Sequence, residues 1–225
     1  MSFISLITAR KNSKRLKNKN MRILNGKPLI HYTIASSIKS KYIKKTFVFT
    51  DSKEIINYTK KFNVSPCCKR PSQLSLSKTP MSETVEYFVR KMKLKEKKIK
   101  YLVLLQPTSP QRTASDIDNA CKMILKDPKA DGLISSYKLK NIDVNRLMFL
   151  NDKYLTLNKS NKWKTQTKTF VRNGPSILIT KIKNITKKNL YEKGKILNYV
   201  MQKSKSIDID NKNDFLKIKK KLSKK

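Results

Sequence analysis

The sequence predicts an α/β layered fold with a largely parallel sheet, and three observations predict it. Short apolar runs of strand length alternate with longer stretches of helical periodicity. No internal repeat interrupts the alternation, and 225 residues suffice for one sizeable core and hence one domain.

The first run, "FISLIT" (residues 3–8), is continuously apolar, as a strand buried on both faces must be. "KPLIHYTIASSI" (27–38) reads as a helix opened by Pro28 at its first turn. "KTFVFT" (45–50) is a second strand. "SKEIINYTKKF" (52–62) then puts Ile55, Ile56, Thr59 and Phe62 near one helical face, with Ser52 as its cap. "SETVEYFVRKMK" (82–93) has an apolar seam of Val85, Phe88, Val89 and Met92. "YLVLLQ" (101–106) is a central strand ended by the two prolines of "PTSP". "ASDIDNACKMIL" (114–125) is a helix with Cys121 in its core face, and "GLISSY" (132–137) and "PSILIT" (175–180) are strands. "DFLKIKKKL" (214–222) closes the chain as a helix within a Lys-rich tail.

Composition narrows the function. A formal charge of +38 raises nucleic acid as a partner, but 45 of the 53 cations are Lys, only eight are Arg, and the Lys are spread along the whole chain. Readers of nucleic acid cluster their cations and lean on Arg for bidentate contacts. Lys, Asn and Ile are all abundant and all have AT-rich codons, so most of the charge reads as composition displayed on solvated faces, with no specific nucleic-acid surface. Three cysteines, with Cys67 and Cys68 adjacent, make a poor disulfide framework, and one histidine without Cys-x-x-Cys makes a poor zinc site. No segment reads as a leader and no apolar run is long enough to cross a bilayer. A cytoplasmic protein with no membrane partner is the expectation.

Ligands of such sheets bind beyond the carboxyl ends of the strands. There the first strand leaves as "ITARKNSKRLKNKN" (7–20), rich in cations and amides. It is neither a Walker loop nor a GxGxxG turn, so any phosphate must be held by side chains: guanidinium from Arg10, ammonium from Lys14 and Lys19, amides from Asn12 and Asn20. A second constellation is "SIDID" (206–210). Alternation in a strand would send Asp208 and Asp210 to one face, about 7 Å apart. Two carboxylates facing one way call for a hard divalent cation. "LLQPTSPQRT" (104–113) and "VRNGPSILI" (171–179), with a tight turn at Asn173 and Gly174, complete the set.

In order along the chain, "ARKNSKRLKNKN", "GKPLIHYTI", "TDSKEI", "RPSQLS", "LLQPTSPQRT", "RNGPSILI" and "SIDID" resemble the acylneuraminate cytidylyltransferases, or CMP-sialic acid synthetases, and more distantly the CMP-Kdo synthetases. The resemblance runs from about residue 3 to the final helix. It implies a three-layer Rossmann-like nucleotidyltransferase fold, and a single domain over 1–225 with residues 138–172 as a dimerisation and acceptor-binding insert. It implies a homodimer that transfers CMP from CTP to the anomeric hydroxyl of a nonulosonic acid, releases pyrophosphate and uses Mg2+. It places Arg10 and Lys14 on the triphosphate, helped by Asn12, Ser13, Lys19 and Asn20, with Arg70 and Ser82 at the nucleotide. Gln106, Lys164, Gln166 and Asn173 fall to the acceptor, and Asp208 and Asp210 to the metal. The chain departs from the family's pattern in three places. Ser77 stands where an acid is common, Lys164-Thr165-Gln166 stands where many members carry Arg ahead of Gln, and "KNIDVNRLM" lacks the usual His-Pro. A catalytically impaired nucleotide-binding homologue would account for the same motifs, and a basic nucleic-acid-binding protein would account for the charge alone.

Overall fold

Strand β1 (Phe3–Ala9) is buried along its whole length and organises the sheet. The computed structural model describes residues 3–62, 64–66, 69–139, 148–151, 154–157, 170–174, 176–191 and 193–223. After β1 come a short hairpin of β2 (Ile23–Leu24) and β3 (Lys27–Pro28), helix α1 (Leu29–Ile38), β4 (Ile43–Thr50), α2 (Lys53–Thr59) and β5 (Ser65–Pro66). Helix α3 (Met81–Lys91) leads into β6 (Tyr101–Leu105), and α4 (Ala114–Lys126) into β7 (Gly132–Lys138). Then follow a second hairpin, β8 (Met148–Asn151) with β9 (Tyr154–Leu157), and β10 (Phe170–Arg172), β11 (Leu178–Lys181), β12 (Ile196–Val200) and α5 (Lys212–Leu222).

The main sheet runs β10-β7-β11-β6-β1-β4-β5, with β12 on β7. β1 lies parallel to β4 and β6, β4 to β5, and β7 to β12. β11 is antiparallel to β6 and β7, and β10 is antiparallel to β7, so the sheet is mostly parallel rather than uniformly so. Alternation in the central strands sorts the core into two faces. Phe3, Ile7, Val48, Val103 and Leu105 pack with Ile30 and Ile34 of α1, Ile55 of α2 and Ile117, Cys121 and Ile124 of α4. Ile4, Leu6, Phe47, Phe49, Leu102 and Leu104 pack with Val85, Phe88 and Val89 of α3. This is a three-layer α/β/α arrangement.

Several local expectations hold. Ser52 Oγ accepts from Ile55 N–H and caps α2. The seam of α3 is the expected one, with Met92 packed partly buried beside it. Others are corrected. Pro28 stands just before α1, as the last residue of the β2–β3 hairpin, and not inside the first helical turn. That hairpin turns at Asn25 and Gly26, both with positive φ, the pairing a tight two-residue turn needs. The closing helix expected at 214–222 is borne out as α5, capped by Asn211 and Asp214 and anchored by buried Phe215 and Ile218. "SIDID" is no strand; the strand lies earlier, at β12, and residues 206–210 run as an irregular crossing segment. Most of the 138–172 insert lies outside the described residues, as do Cys67 and Cys68; of the insert, β8, β9 and β10 are described.

A third, small apolar cluster joins Leu16, Leu24, Leu29, Ile209, Phe215 and Ile218, so it ties the loop after β1 to the crossing segment and to α5. A buried guanidinium braces the other side. Arg112 Nη2 donates to Thr33 Oγ1 at 2.7 Å, and Nη1 donates to Ser176 O at 2.6 Å and Gln106 O at 3.4 Å. It thereby links α1, the end of β6 and the approach to β11. Burial pulls its pKa down to about 9, partly offset by Asp116. Arg112→Met keeps the volume but orphans those acceptors, and should lower the unfolding free energy by about 3 kcal/mol. Urea denaturation measures this, and a loss no larger than that of an exposed Lys→Met control would show that the brace carries no weight.

Candidate active site

β1 leads outward through α1 to β4, and the chain later returns through α3 to β6 on the other side of β1. The strand order therefore reverses between β1 and β6, and a crevice opens at their carboxyl ends, where α/β sheets take their ligands. The cleft there has a volume of about 460 Å3. Thr8 lines it from β1 and Arg10 from just beyond that strand, Gln106, Pro107 and Thr108 from the segment after β6, and Asp208 and Asp210 from the crossing segment. That segment is held by Ile209 N–H donating to Thr108 O at 2.9 Å. Ile209 itself turns the opposite way, into the small core, so the two aspartates share the cleft side. The alternation expected of a strand is thus achieved without one.

The basic loop is pinned at three points. Lys11 N–H donates to Asp51 Oδ1 at 2.7 Å, Leu16 is buried, and Asn20 Nδ2 donates back to Arg10 O at 3.0 Å. Between these pins Arg10, Ser13, Lys14, Arg15, Lys19 and Asn20 face the cleft, whereas Asn12, Lys11 and Lys17 do not line it. Arg70 also lines it, tied through its backbone N–H to Thr50 O at the end of β4. Its Nε and Nη2 are committed to Leu74 O, and Nη2 also reaches Thr84 Oγ1. Burial, with Arg10 nearby and Asp51 opposing, lowers Arg70 to about 10, so it stays charged at neutral pH.

Five cations (Arg10, Lys14, Arg15, Lys19 and Arg70) thus face two carboxylates. Asp210 Oδ2 pairs with Arg15 Nη1 at 2.9 Å and its Oδ1 lies 3.5 Å from Lys19 Nζ, which also donates to Ile209 O at 2.7 Å. Asp208 is different: its Oδ1 is buried without a hydrogen-bond partner. Burial raises the Asp208 pKa; Thr108 and Lys19 oppose the rise, and Asp210 and Asp214 add to it. The close approach depends on Gly174, whose φ is +60° and where an added Cβ would lie 2.7 Å from Asp208 Oδ2. An orphaned, buried carboxylate oxygen beside a second carboxylate fits a divalent cation. Among the described residues no group of three or more His, Cys, Asp or Glu could hold a metal. Two carboxylates with room for phosphate oxygens and water suit Mg2+ better than zinc.

Other sequence-derived positions fall elsewhere. Ser82 Oγ donates to Lys187 O at 2.7 Å and does not line the cleft. Asn173 is buried behind it: Oδ1 accepts from Ser135 Oγ at 2.7 Å and Nδ2 donates to Ser206 Oγ at 3.0 Å, so it anchors the crossing segment. Lys164 and Gln166 lie outside the described residues. Sequence reasoning gave no role to Arg15, although it sits inside the quoted basic loop. Leu76, Ser77 and Thr79 also line the cleft; of these only Ser77 was singled out in the sequence, as a departure from the family's acid.

A family model described as cytidylyltransferase matches residues 4–220 of the chain. The chain belongs to the cytidylyltransferase family. A CMP-N,N'-diacetyllegionaminic acid synthase of Legionella pneumophila is 33% identical over 140 residues, covering 62% of this chain and 60% of that protein. An N-acylneuraminate cytidylyltransferase of Escherichia coli is 29% identical over 220 residues, covering 94% of this chain and 50% of that one. The chain therefore spans 60% and 50% of the length of these two relatives. In fold, a CMP:2-keto-3-deoxy-manno-octonic acid synthetase solved with CTP superposes with a TM-score of 0.74 over all of this chain and 99% of that one, at 11% identity.

For this member of the family, Asp208→Asn should raise the thermal midpoint in EDTA at neutral pH. The sign follows from the shift: a carboxyl whose folded pKa exceeds its unfolded value destabilises the folded state above the folded pKa, and the penalty disappears as pH falls below the unfolded one. The variant removes the charge but keeps the shape, so its gain should vanish in acid. Differential scanning calorimetry at neutral and acid pH measures it; a midpoint lowered at neutral pH would mean that the charge is compensated.

Proposed function

We propose that the chain transfers CMP from CTP to the anomeric hydroxyl of a nonulosonic acid and releases pyrophosphate. The observation that carries this reading is the charge pattern of the cleft: five cations opposite two carboxylates, one of them with an orphaned buried oxygen. A polyphosphate together with a divalent cation satisfies both halves, and neither alone does. The activities for which the legionaminic and acylneuraminic relatives are named support the acceptor class.

In this reading Asp208 and Asp210 would hold Mg2+, which would supply positive charge to the phosphates. The acceptor hydroxyl attacks the α-phosphorus, and negative charge grows on the departing pyrophosphate. Lys14 and Arg10 face that charge from the loop; they stabilise the transition state more than the ground state because they are fixed before it forms. The pins at Lys11 N–H, Leu16 and Asn20 supply that fixation. Arg70 acts mainly by shaping the wall that carries Leu76 and Ser77, since its donors hold Leu74. Gln106 is left as the acceptor-side residue at the end of β6. A cytoplasmic location and a homodimer formed through the 138–172 insert belong to the same reading. No helix among the described residues is long and apolar enough to cross a membrane.

Pyrophosphate release with Mg2+ and a panel of nonulosonic acids should be strongly selective for CTP over UTP, ATP and GTP. Equal release from all four nucleotides, or none with any acid, would refute the assignment.

The loop makes a sharper prediction. Lys14→Ala should cut turnover by ~10²–10³-fold, the typical loss for one transition-state donor. Arg10→Lys should also fail, because an ammonium cannot span two phosphate oxygens. Lys11→Ala and Lys17→Ala, outside the cleft lining, should stay within about twofold of the parent, as exposed charges usually do. Steady-state kinetics of the four variants at saturating Mg2+ decides; a similar modest loss in all would make the loop a diffuse electrostatic patch.

A further inference from the structure

Arg15 is the cleft cation whose present partner is one of the two carboxylates assigned to the metal. Its Nη1 lies 2.9 Å from Asp210 Oδ2, and its side chain is 73% exposed. The pair contributes little to holding the loop: exposed ion pairs are worth little, and the adjacent Leu16 already fixes the backbone in the small core. The backbone of Arg15 is therefore fixed while its guanidinium is free to turn. Lys19 differs, since it is mostly buried and also donates to Ile209 O, which makes it part of the framework of the crossing segment.

A divalent ion reaching Asp210 must compete with the Arg15 guanidinium for the same carboxylate oxygens and is repelled by it. A triphosphate reaching the loop offers that guanidinium a more highly charged partner across the same cleft. Resting on the nucleotide reading above, we propose that Arg15 is an exchangeable counter-ion: it occupies Asp210 in the free protein and transfers to the nucleotide phosphates as the metal takes its place. Charge is conserved in the exchange. One ion pair, Arg15 with Asp210, is replaced by two, the metal with Asp210 and Arg15 with phosphate. Metal alone displaces the guanidinium without giving it a new partner, so it binds weakly. Nucleotide alone takes Arg15 away and leaves Asp210 to Lys19. Together each removes the other's penalty, so the two ligands bind with positive coupling.

The test uses binary binding, independent of turnover. Mn2+ alone is titrated against the metal-free protein by electron paramagnetic resonance, and CTP alone is titrated in EDTA by calorimetry. Both are done for the parent, Arg15→Gln and Lys17→Gln. Lys17 carries the same charge on the same loop but does not line the cleft. Arg15→Gln should tighten Mn2+ by about three- to tenfold and weaken CTP by about tenfold, opposite signs from one substitution. Lys17→Gln should move both by less than about twofold. Mn2+ binding that is weakened in Arg15→Gln, or changed no more than in Lys17→Gln, would overturn the exchange while leaving the nucleotide reading intact. A parent that binds CTP neither in EDTA nor with Mg2+ would instead overturn the nucleotide reading, and the exchange with it.

Discussion

Burial of Leu16 and Ile209 in one small apolar cluster is the constraint on which the cleft depends. The residues come from opposite ends of the chain, one from the loop after β1 and the other from the segment before α5. Each is flanked by the charges that matter: Lys14 and Arg15 on one side, Asp208 and Asp210 on the other. Burying the two apolar side chains together forces the cations and the carboxylates to share one crevice. Phe215 and Ile218 complete the cluster from α5, and Leu24 and Leu29 from the hairpin and α1, so five separate pieces of chain converge on it. Electrostatic attraction alone would not fix this arrangement, because exposed ion pairs are weak and screened by salt. Apolar burial of about 1.5–3 kcal/mol per fully buried aliphatic side chain is the larger effect, and it acts before any ligand arrives.

With the scaffold held in this way, the site itself can tolerate unfavourable features. Asp208 keeps a buried oxygen with no partner, Gly174 adopts a positive φ to make room for it, and Arg10, Arg15 and Arg70 face the same space as two lysines. Gly174 adopts its φ without strain, but the orphaned oxygen and the crowded cations are costly in the free protein, and the polyanion and cation of the proposed reaction would relieve them. Such local costs persist only where the surroundings over-determine them. Here that determination comes from the small core on one side and from the Arg112 brace on the other, where Gln106 O and Ser176 O are held to Thr33 of α1.

Much of this was legible in the sequence. The central strands could be read because residues buried on both faces form unbroken apolar runs, as in "FISLIT" and "YLVLLQ". Amphipathic periodicity did the same for α3 and α4. The β2–β3 hairpin carried a local signal, Asn25-Gly26, that went unread beside the stronger helix pattern that follows it. β12 had no such signal: "ILNYV" is half-buried over Ile196–Tyr199 and exposed at Val200, where it pairs along β7. The two aspartates were assigned to one face by strand alternation, and they do share a face, but through Ile209 acting as the plug of an irregular segment. Asn173 and Ser82 could not be placed from spacing, because a polar side chain that holds the framework and one that meets a ligand look alike until their partners are known. Their partners turn out to be Ser135 and Ser206 for Asn173, and Lys187 O for Ser82.

The same distinction resolves the meaning of the basic charge. Forty-five lysines are distributed over the chain, and the sequence alone made them a solvated background. The eight arginines are not distributed in that way: Arg10, Arg15 and Arg70 line the cleft, and Arg112 braces its floor. Each of Arg15, Arg70 and Arg112 uses its nitrogens for directed hydrogen bonds, to Asp210, to Leu74 O and Thr84, and to Ser176 O and Thr33. A planar guanidinium with five donors can satisfy several acceptors at once and stay charged when buried, which a lysine ammonium does less well. In a chain where a positive charge is available almost anywhere, the charge itself therefore marks nothing. Position and geometry of the few guanidinium groups mark the site: Arg10, Arg15 and Arg70 line one end of the β1–β6 crevice, and buried Arg112 holds Gln106 O beside it.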